Sequence, residues 1–119
     1  MSYDLDFIDK NTKEVIKLPT KHGIKGGMYD IEGSCWLSFN ITYNYYPFFK
    51  KVFGEKGIRS LYGLTAKEAR ICLEKAISEL KGDPDPDYWK PTEGNALEAL
   101  YSLLFMARLA PDDSIVQGD

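Results

Sequence analysis

Ser34-Cys35-Trp36-Leu37-Ser38-Phe39-Asn40-Ile41-Thr42-Tyr43 alternates apolar and polar residues almost without interruption. Successive side chains of a strand point to opposite faces. Cys35, Leu37, Phe39, Ile41 and Tyr43 therefore share a core face, and Ser34, Trp36, Ser38, Asn40 and Thr42 share a face that is polar apart from Trp36. This is the strongest strand signal in the chain, and it predicts a sheet with one side buried. Upstream, Tyr3, Leu5 and Phe7 alternate with Asp4 and Asp6, which predicts a second strand. Asp9-Lys10-Asn11-Thr12 has turn chemistry, and the short run 14–18 with Val15 and Ile16 is expected to close a hairpin on the first strand. Pro19 ends that run, 20–27 reads as a loop, 28–32 as a further strand and Gly33 as a turn.

Downstream the period changes to that of a helix. Pro47 suits a first helical turn, and Phe48, Phe49, Val52 and Phe53 form the stripe of a short helix that Gly54 and Gly57 end. Residues 58–62 fit one more turn. Thr65-Ala66-Lys67-Glu68 is a capping box, and Ala69, Leu73, Ala76, Ile77 and Leu80 carry the helix behind it to about residue 80. Gly82 is placed to stop it. Asp83-Pro84-Asp85-Pro86-Asp87 is a stiff acidic connection, because proline removes backbone donors and restricts its neighbour. Thr92 is placed to cap a last helix running to about Ala110, whose second half is apolar nearly all round and so predicts a central position. Strands first and helices second predict an α+β fold. The expectation is a small antiparallel sheet of three to four strands in the N-terminal half, packed by two main helices and one short helix. Residues 1–111 form a single domain and 112–119 a polar C-terminal tail.

The chain has 119 residues, a formal net charge of -3, 44% hydrophobic and 28% charged residues. That is the size and composition of one globular domain. The acidic balance predicts no nucleic-acid partner, whose footprint is a basic face. No apolar run is long enough for a bilayer, and the opening Met1-Ser2-Tyr3-Asp4-Leu5-Asp6 lacks the basic and apolar regions of an export signal. A cytoplasmic protein with no membrane partner is expected. Cys35 and Cys72 stand outside any C-x-x-C pattern, so both are expected reduced and buried, with no metal and no cofactor.

Two stretches carry candidate binding residues. In the first, Asn40, Thr42 and Asn44 project together if the strand persists that far, with Tyr45, Tyr46 and Trp36 beside them. Asparagine is a poor strand former, so repeated use of it suggests a surface that hydrogen-bonds a partner. The plainer reading is a solvated sheet face. The second is Trp89-Lys90-Pro91-Thr92-Glu93-Gly94-Asn95, where free N–H groups of a helix start would meet an anion with Thr92 and Asn95 at hand. The plainer reading is an ordinary cap. Asp83, Asp85 and Asp87 resemble the start of a calcium loop, but Tyr88 replaces its glycine and Gly94 its terminal glutamate. His22, the single histidine, lies near Gly26-Gly27 without a phosphate-loop spacing or a nucleophile motif. No catalytic residue is assigned.

The whole chain resembles a family of small uncharacterised proteins of phages and prophages. The resemblance is carried by Met1-Ser2-Tyr3-Asp4-Leu5, Gly26-Gly27, Asn40-Ile41-Thr42-Tyr43-Asn44-Tyr45, Gly54-Glu55-Lys56-Gly57-Ile58-Arg59, Leu61-Tyr62-Gly63, Tyr88-Trp89 and Thr92-Glu93-Gly94-Asn95-Ala96. It implies a phage-linked origin, with the host cytoplasm as location, and no activity. The expected function is a non-enzymatic interaction protein acting on a host protein, of the anti-defence type. The alternatives are a small-molecule or nucleotide binder using the Thr92–Asn95 helix start, and an unrecognised small enzyme. Homo-oligomers are compatible with either binding role.

Overall fold

The computed structural model describes residues 2–18, 29–31 and 34–119, with the backbone path alone at 29–31, 34 and 35. In chain order the elements are β1 (Ser2–Ile8), β2 (Lys17–Leu18), β3 (Tyr29–Ile31), β4 (Ser34–Trp36), β5 (Ser38–Thr42), α1 (Tyr46–Phe53), α2 (Ala66–Ser78), α3 (Glu93–Leu109) and β6 (Ile115–Gly118). Short 3-10 turns cover Tyr43–Tyr45 and Gly57–Leu61. The arrangement is α+β, with a three-stranded antiparallel sheet ordered β5-β1-β6 and a second small sheet ordered β2-β4-β3. The 20–27 loop, His22, Gly26-Gly27, Pro19 and the Gly33 turn lie outside the described residues.

The long strand expected over 34–43 is broken at Leu37. The Leu37 N–H donates to the Ile16 carbonyl (2.9 Å), while its own carbonyl accepts from the Phe7 N–H (3.0 Å). One residue thus joins the two sheets, with β4 in one and β5 in the other. The alternation is kept on the described core side, where Leu37, Phe39 and Ile41 are buried. The expected hairpin between β1 and 14–18 is also corrected. It closes over a short stretch, through the Ile8–Val15 bridge, the Asp9 N–H on the Glu14 carbonyl, the Lys13 N–H on the Asp9 carbonyl and the Ile16 N–H on the Phe7 carbonyl. The chain then peels away, and Lys17 pairs with Trp36. Two residues of β2 gain a partner in β4 that β1, engaged by β5 and β6, cannot offer.

The polar tail expected over 112–119 is instead structural. β6 pairs antiparallel with β1, with Phe7 opposite Val116, and Val116 is buried. Its other edge is closed by the Val116 N–H on the Leu64 carbonyl and the Gly63 N–H on the Val116 carbonyl (both 2.8 Å). The segment before it completes α2: the Ala66 N–H donates to the Ser114 carbonyl (2.8 Å), satisfying a helix-start donor that has no intrahelical partner.

The helices follow their sequence signals closely. In α2 the Thr65 hydroxyl accepts from the Glu68 N–H (3.1 Å) and the Glu68 carboxylate from the Thr65 N–H (3.0 Å), the reciprocal pair of a capping box. Leu80, beyond the last helical turn, is still buried. In α1, Phe49 is buried among Tyr3, Tyr45 and Phe53. α3 buries Leu100, Leu103, Leu104 and Met106, but it is covered on one side rather than surrounded. Tyr101 and Phe105 remain 55% and 45% exposed on the other side. Cys72 is a free, half-buried thiol on α2. No helix among the described residues is long and apolar enough to cross a membrane.

Candidate functional site

The polar residues of β5 and its extension are largely used up inside the fold. Asn40 Nδ2 donates to Ser2 Oγ (2.7 Å) and Asp4 Oδ1 (2.6 Å) across the β1–β5 pair. Thr42 is buried, which removes it from any exposed face. Its hydroxyl accepts from the Asn44 N–H (3.2 Å) and caps the following 3-10 turn. That turn stops the alternation at Thr42, so Asn44 does not continue the strand face. Asn44 Nδ2 reaches the Trp89 carbonyl instead (2.7 Å). Tyr45 is buried too, with its hydroxyl donating to the Tyr88 carbonyl and its ring 5.7 Å from that of Tyr88. Burial is the first cause that pushes the Tyr45 hydroxyl above its ordinary range, followed by nearby Tyr88 and Glu98. Trp36 sits in the second sheet with Lys17 Nζ 5.8 Å from its ring centre.

The structure does bring the two candidate stretches together. Thr42, Asn44 and Tyr45 all bond the Tyr88–Trp89 pair, whose rings lie 5.0 Å apart, and Trp89 is 59% exposed. The helix start at Thr92 is closed, however. Thr92 Oγ1 accepts from the Asn95 N–H (3.1 Å) as a cap. Asn95 is buried, its Oδ1 accepting from the Asp85 N–H (2.7 Å) and its Nδ2 donating to the Asp87 and Lys90 carbonyls (both 2.9 Å). A Cβ on Gly94 would stand 2.0 Å from the Asp83 carbonyl oxygen. The acidic connection therefore lies directly on the first turn of α3, where an anion was expected. Its aspartates hold the connection itself, Asp85 accepting from the Asp87 N–H and Asp87 from the Trp89 N–H. Among the described residues no three His, Cys, Asp or Glu side chains converge on a metal position.

Of the candidates, Tyr46 leads to a different site. Its ring packs against Gly57, whose φ of +57° suits glycine and where a Cβ would come within 3.2 Å of the ring. Its hydroxyl donates to the Glu55 carbonyl (2.9 Å). Tyr3 from β1, Tyr43 after β5, Tyr46 from α1 and Arg59 from the second 3-10 turn together line an open depression of about 330 Å³. The β1–β5 register sets Ser2 opposite Thr42, and the Tyr3 and Tyr43 rings meet edge to face at 4.5 Å. The Arg59 guanidinium carbon lies 5.0 Å from the Tyr3 ring centre and 5.5 Å from that of Tyr43. Both contacts have cation–π geometry, and Arg59 Nη2 also donates to the Tyr43 hydroxyl (3.2 Å).

An acidic partner completes the cluster. Arg59 Nε and Nη2 both stand 2.9 Å from Asp119 Oδ2, and the Tyr62 hydroxyl donates to Asp119 Oδ1 (2.9 Å). Asp119 raises the proton affinity of the guanidinium; burial first and Asp119 second push the Tyr62 hydroxyl up. Tyr3, Tyr43, Arg59 and Tyr62 escaped sequence reasoning because they come from four separate segments. The signal available was the tight Gly54-to-Gly63 stretch, whose glycines stand at φ between +57° and +91° and so mark a deliberately shaped turn. No protein-family model matches the chain, and neither a curated protein nor a solved structure matches it.

Proposed function

We propose that the chain is a non-enzymatic binding protein of phage or prophage origin, and that it contacts a bacterial host protein, in an anti-defence role, through the tyrosine-walled depression over Arg59. The observation that carries this reading is the depression itself, lined by Tyr3, Tyr43, Tyr46 and Arg59. Tyrosine and arginine are the side chains that most often dominate binding energy at protein interfaces. They are also fixed in advance here: Arg59 is stacked and hydrogen-bonded, and Tyr46 is tied to Glu55 and Gly57. Little rotamer entropy remains to be lost on association, which is how a small surface gains affinity.

The test uses the tagged chain to retrieve a host protein, which is then purified and titrated against wild type, Arg59→Ala, Tyr46→Ala and Trp89→Ala. Arg59→Ala and Tyr46→Ala are expected to weaken binding by about tenfold or more, the mark of hot-spot residues. Trp89→Ala serves as the comparison, being an exposed aromatic outside the depression. If it alone abolishes binding while the other two match wild type, the surface lies along Tyr88–Trp89 and the assignment to the depression is lost.

A further inference from the structure

We infer that Arg59 and Tyr62 form a carboxylate-recognition subsite, filled in this structure by the chain's own Asp119, and that the partner enters with an acidic side chain in the same position. The inference rests on the binding reading above and names the chemistry that the depression takes.

Both oxygens of the Asp119 carboxylate are held, Oδ2 by Arg59 Nε and Nη2 and Oδ1 by the Tyr62 hydroxyl. Arg59 Nε and the Tyr62 hydroxyl donate to this one carboxylate and Arg59 Nη2 pairs with it as an ion, which defines its chemistry, since an ionised carboxylate only accepts while guanidinium and phenol donate. The donors do not depend on Asp119 for their position. Tyr3 and Tyr43 fix the plane of the guanidinium, and the Tyr43 hydroxyl fixes its rotation. Tyr62 lies over Gly118, where an added Cβ would stand 2.2 Å from the ring, so only glycine admits the phenol there.

The present occupant is loosely held. The Arg59 and Asp119 side chains are 41% and 39% exposed, and an ion pair so placed is screened by water. Asp119 sits at φ +63°, a left-handed conformation that an aspartate can leave for more populated ones. One main-chain bond, its N–H on the Asp4 carbonyl (2.8 Å), anchors it to the sheet. Arg59 Nη1 has no hydrogen-bond partner among the described residues, so the guanidinium retains donors for an incoming group while Asp119 is bound.

Chemical rescue tests the assignment in the full chain. Asp119→Ala empties the subsite, and Asp119→Asn fills it with a neutral isostere; both are checked for a native amide spectrum. The Arg59 Nε–H resonance is followed by 15N NMR while acetate, chloride or inorganic phosphate is added at matched ionic strength. Acetate is expected to return the Asp119→Ala resonance toward its wild-type position, saturably. Wild type should need about tenfold more acetate, because a tethered carboxylate competes at an effective concentration in the millimolar range. Adding Arg59→Gln should abolish the saturable response, read then at the Tyr62 amide. Acetate acting no more strongly than chloride, or phosphate binding more tightly than acetate, overturns the carboxylate assignment. Rescue by acetate combined with unchanged partner affinity in Arg59→Ala leaves the subsite standing and removes the proposed partner surface. The reverse pattern keeps the surface and removes the carboxylate.

Discussion

Replacing Gly94 by alanine probes how the acidic connection rests on α3. In an open helix this exchange stabilises by about 1 kcal/mol, since alanine has the higher helix propensity. Here the new Cβ would lie 2.0 Å from the Asp83 carbonyl oxygen, 2.4 Å from its carbon and 3.0 Å from the Pro84 nitrogen. All three are backbone atoms, so no side chain can swing aside. If the helix start yields, the strain of overpacking is about 1–3 kcal/mol. If the connection lifts instead, Asn95 loses bonds to Asp85, Asp87 and Lys90, at about 0.5–1.5 kcal/mol each. After the helix gain is subtracted, a net loss of about 1 kcal/mol remains on the first route and about 2 kcal/mol on the second. Urea unfolding followed by circular dichroism reads this as a midpoint lower by about 1 M, for the slopes usual in small domains. The pair Gly94→Ala with Asn95→Ala separates the routes. If the connection lifts, the Asn95 bonds are already gone and the double variant falls well short of additivity. A midpoint for Gly94→Ala at or above wild type would refute the packing argument.

Three further outcomes are expected. Leu104→Ala, a buried truncation on α3, should cost about 2–5 kcal/mol in the same assay; an unchanged midpoint would mean that α3 does not anchor the core. Asn40→Thr with Asn44→Thr should lower stability by about 1–2 kcal/mol, because the bonds to Ser2, Asp4 and Trp89 outweigh the gain in strand propensity; a more stable double variant would show those amides to be dispensable to the fold. Backbone N–H groups of Thr12 and Thr65 hold Asp9 and Glu68 below their ordinary carboxyl values, and Lys51 does the same for Glu93. Carboxyls lowered in the folded state stabilise above their unfolded values and lose that contribution as pH falls through the folded ones. The urea midpoint should therefore hold from about pH 7 to 5 and drop below about pH 4, less steeply in Glu68→Gln. Identical acid limbs in the two proteins would remove Glu68 from that account.

Local rules made the helices legible. The Thr65–Glu68 box and the Thr92 cap depend on residues three apart, and both stand in the structure as the sequence implies. The alternation in β1 and β5 was legible for the same reason. What the sequence hid depends on partners far along the chain. Ile115 and Val116 are too short an apolar run to signal a strand, and β6 exists because β1 offers it an edge. The course of 16–18 was set by Leu37, which takes the Ile16 carbonyl. Asn40 and Asn44 broke strand propensity as binding residues would, yet each amide ties two separate segments of the fold together. Sequence alone does not distinguish an amide kept for a ligand from one kept for its own fold. The depression over Arg59 was hidden because stacking on Tyr3 and Tyr43 requires the folded register.

Because β1 lies between β5 and β6, it stays half paired during synthesis until residues 115–118 have followed it. Leu5 waits for Gly118 across nearly the whole chain. Topologies with such distant pairings fold slowly, and a growing chain with one bare strand edge is exposed to pairing with its neighbours on the same message. Asp4 and Asp6 bear on that interval. Two copies of β1 meeting edge to edge would set these carboxylates against their counterparts, and like charges facing each other across strands repel. The aspartates that accept from Asn40 and Ser38 in the finished sheet would thus also act earlier, as a guard on the nascent strand.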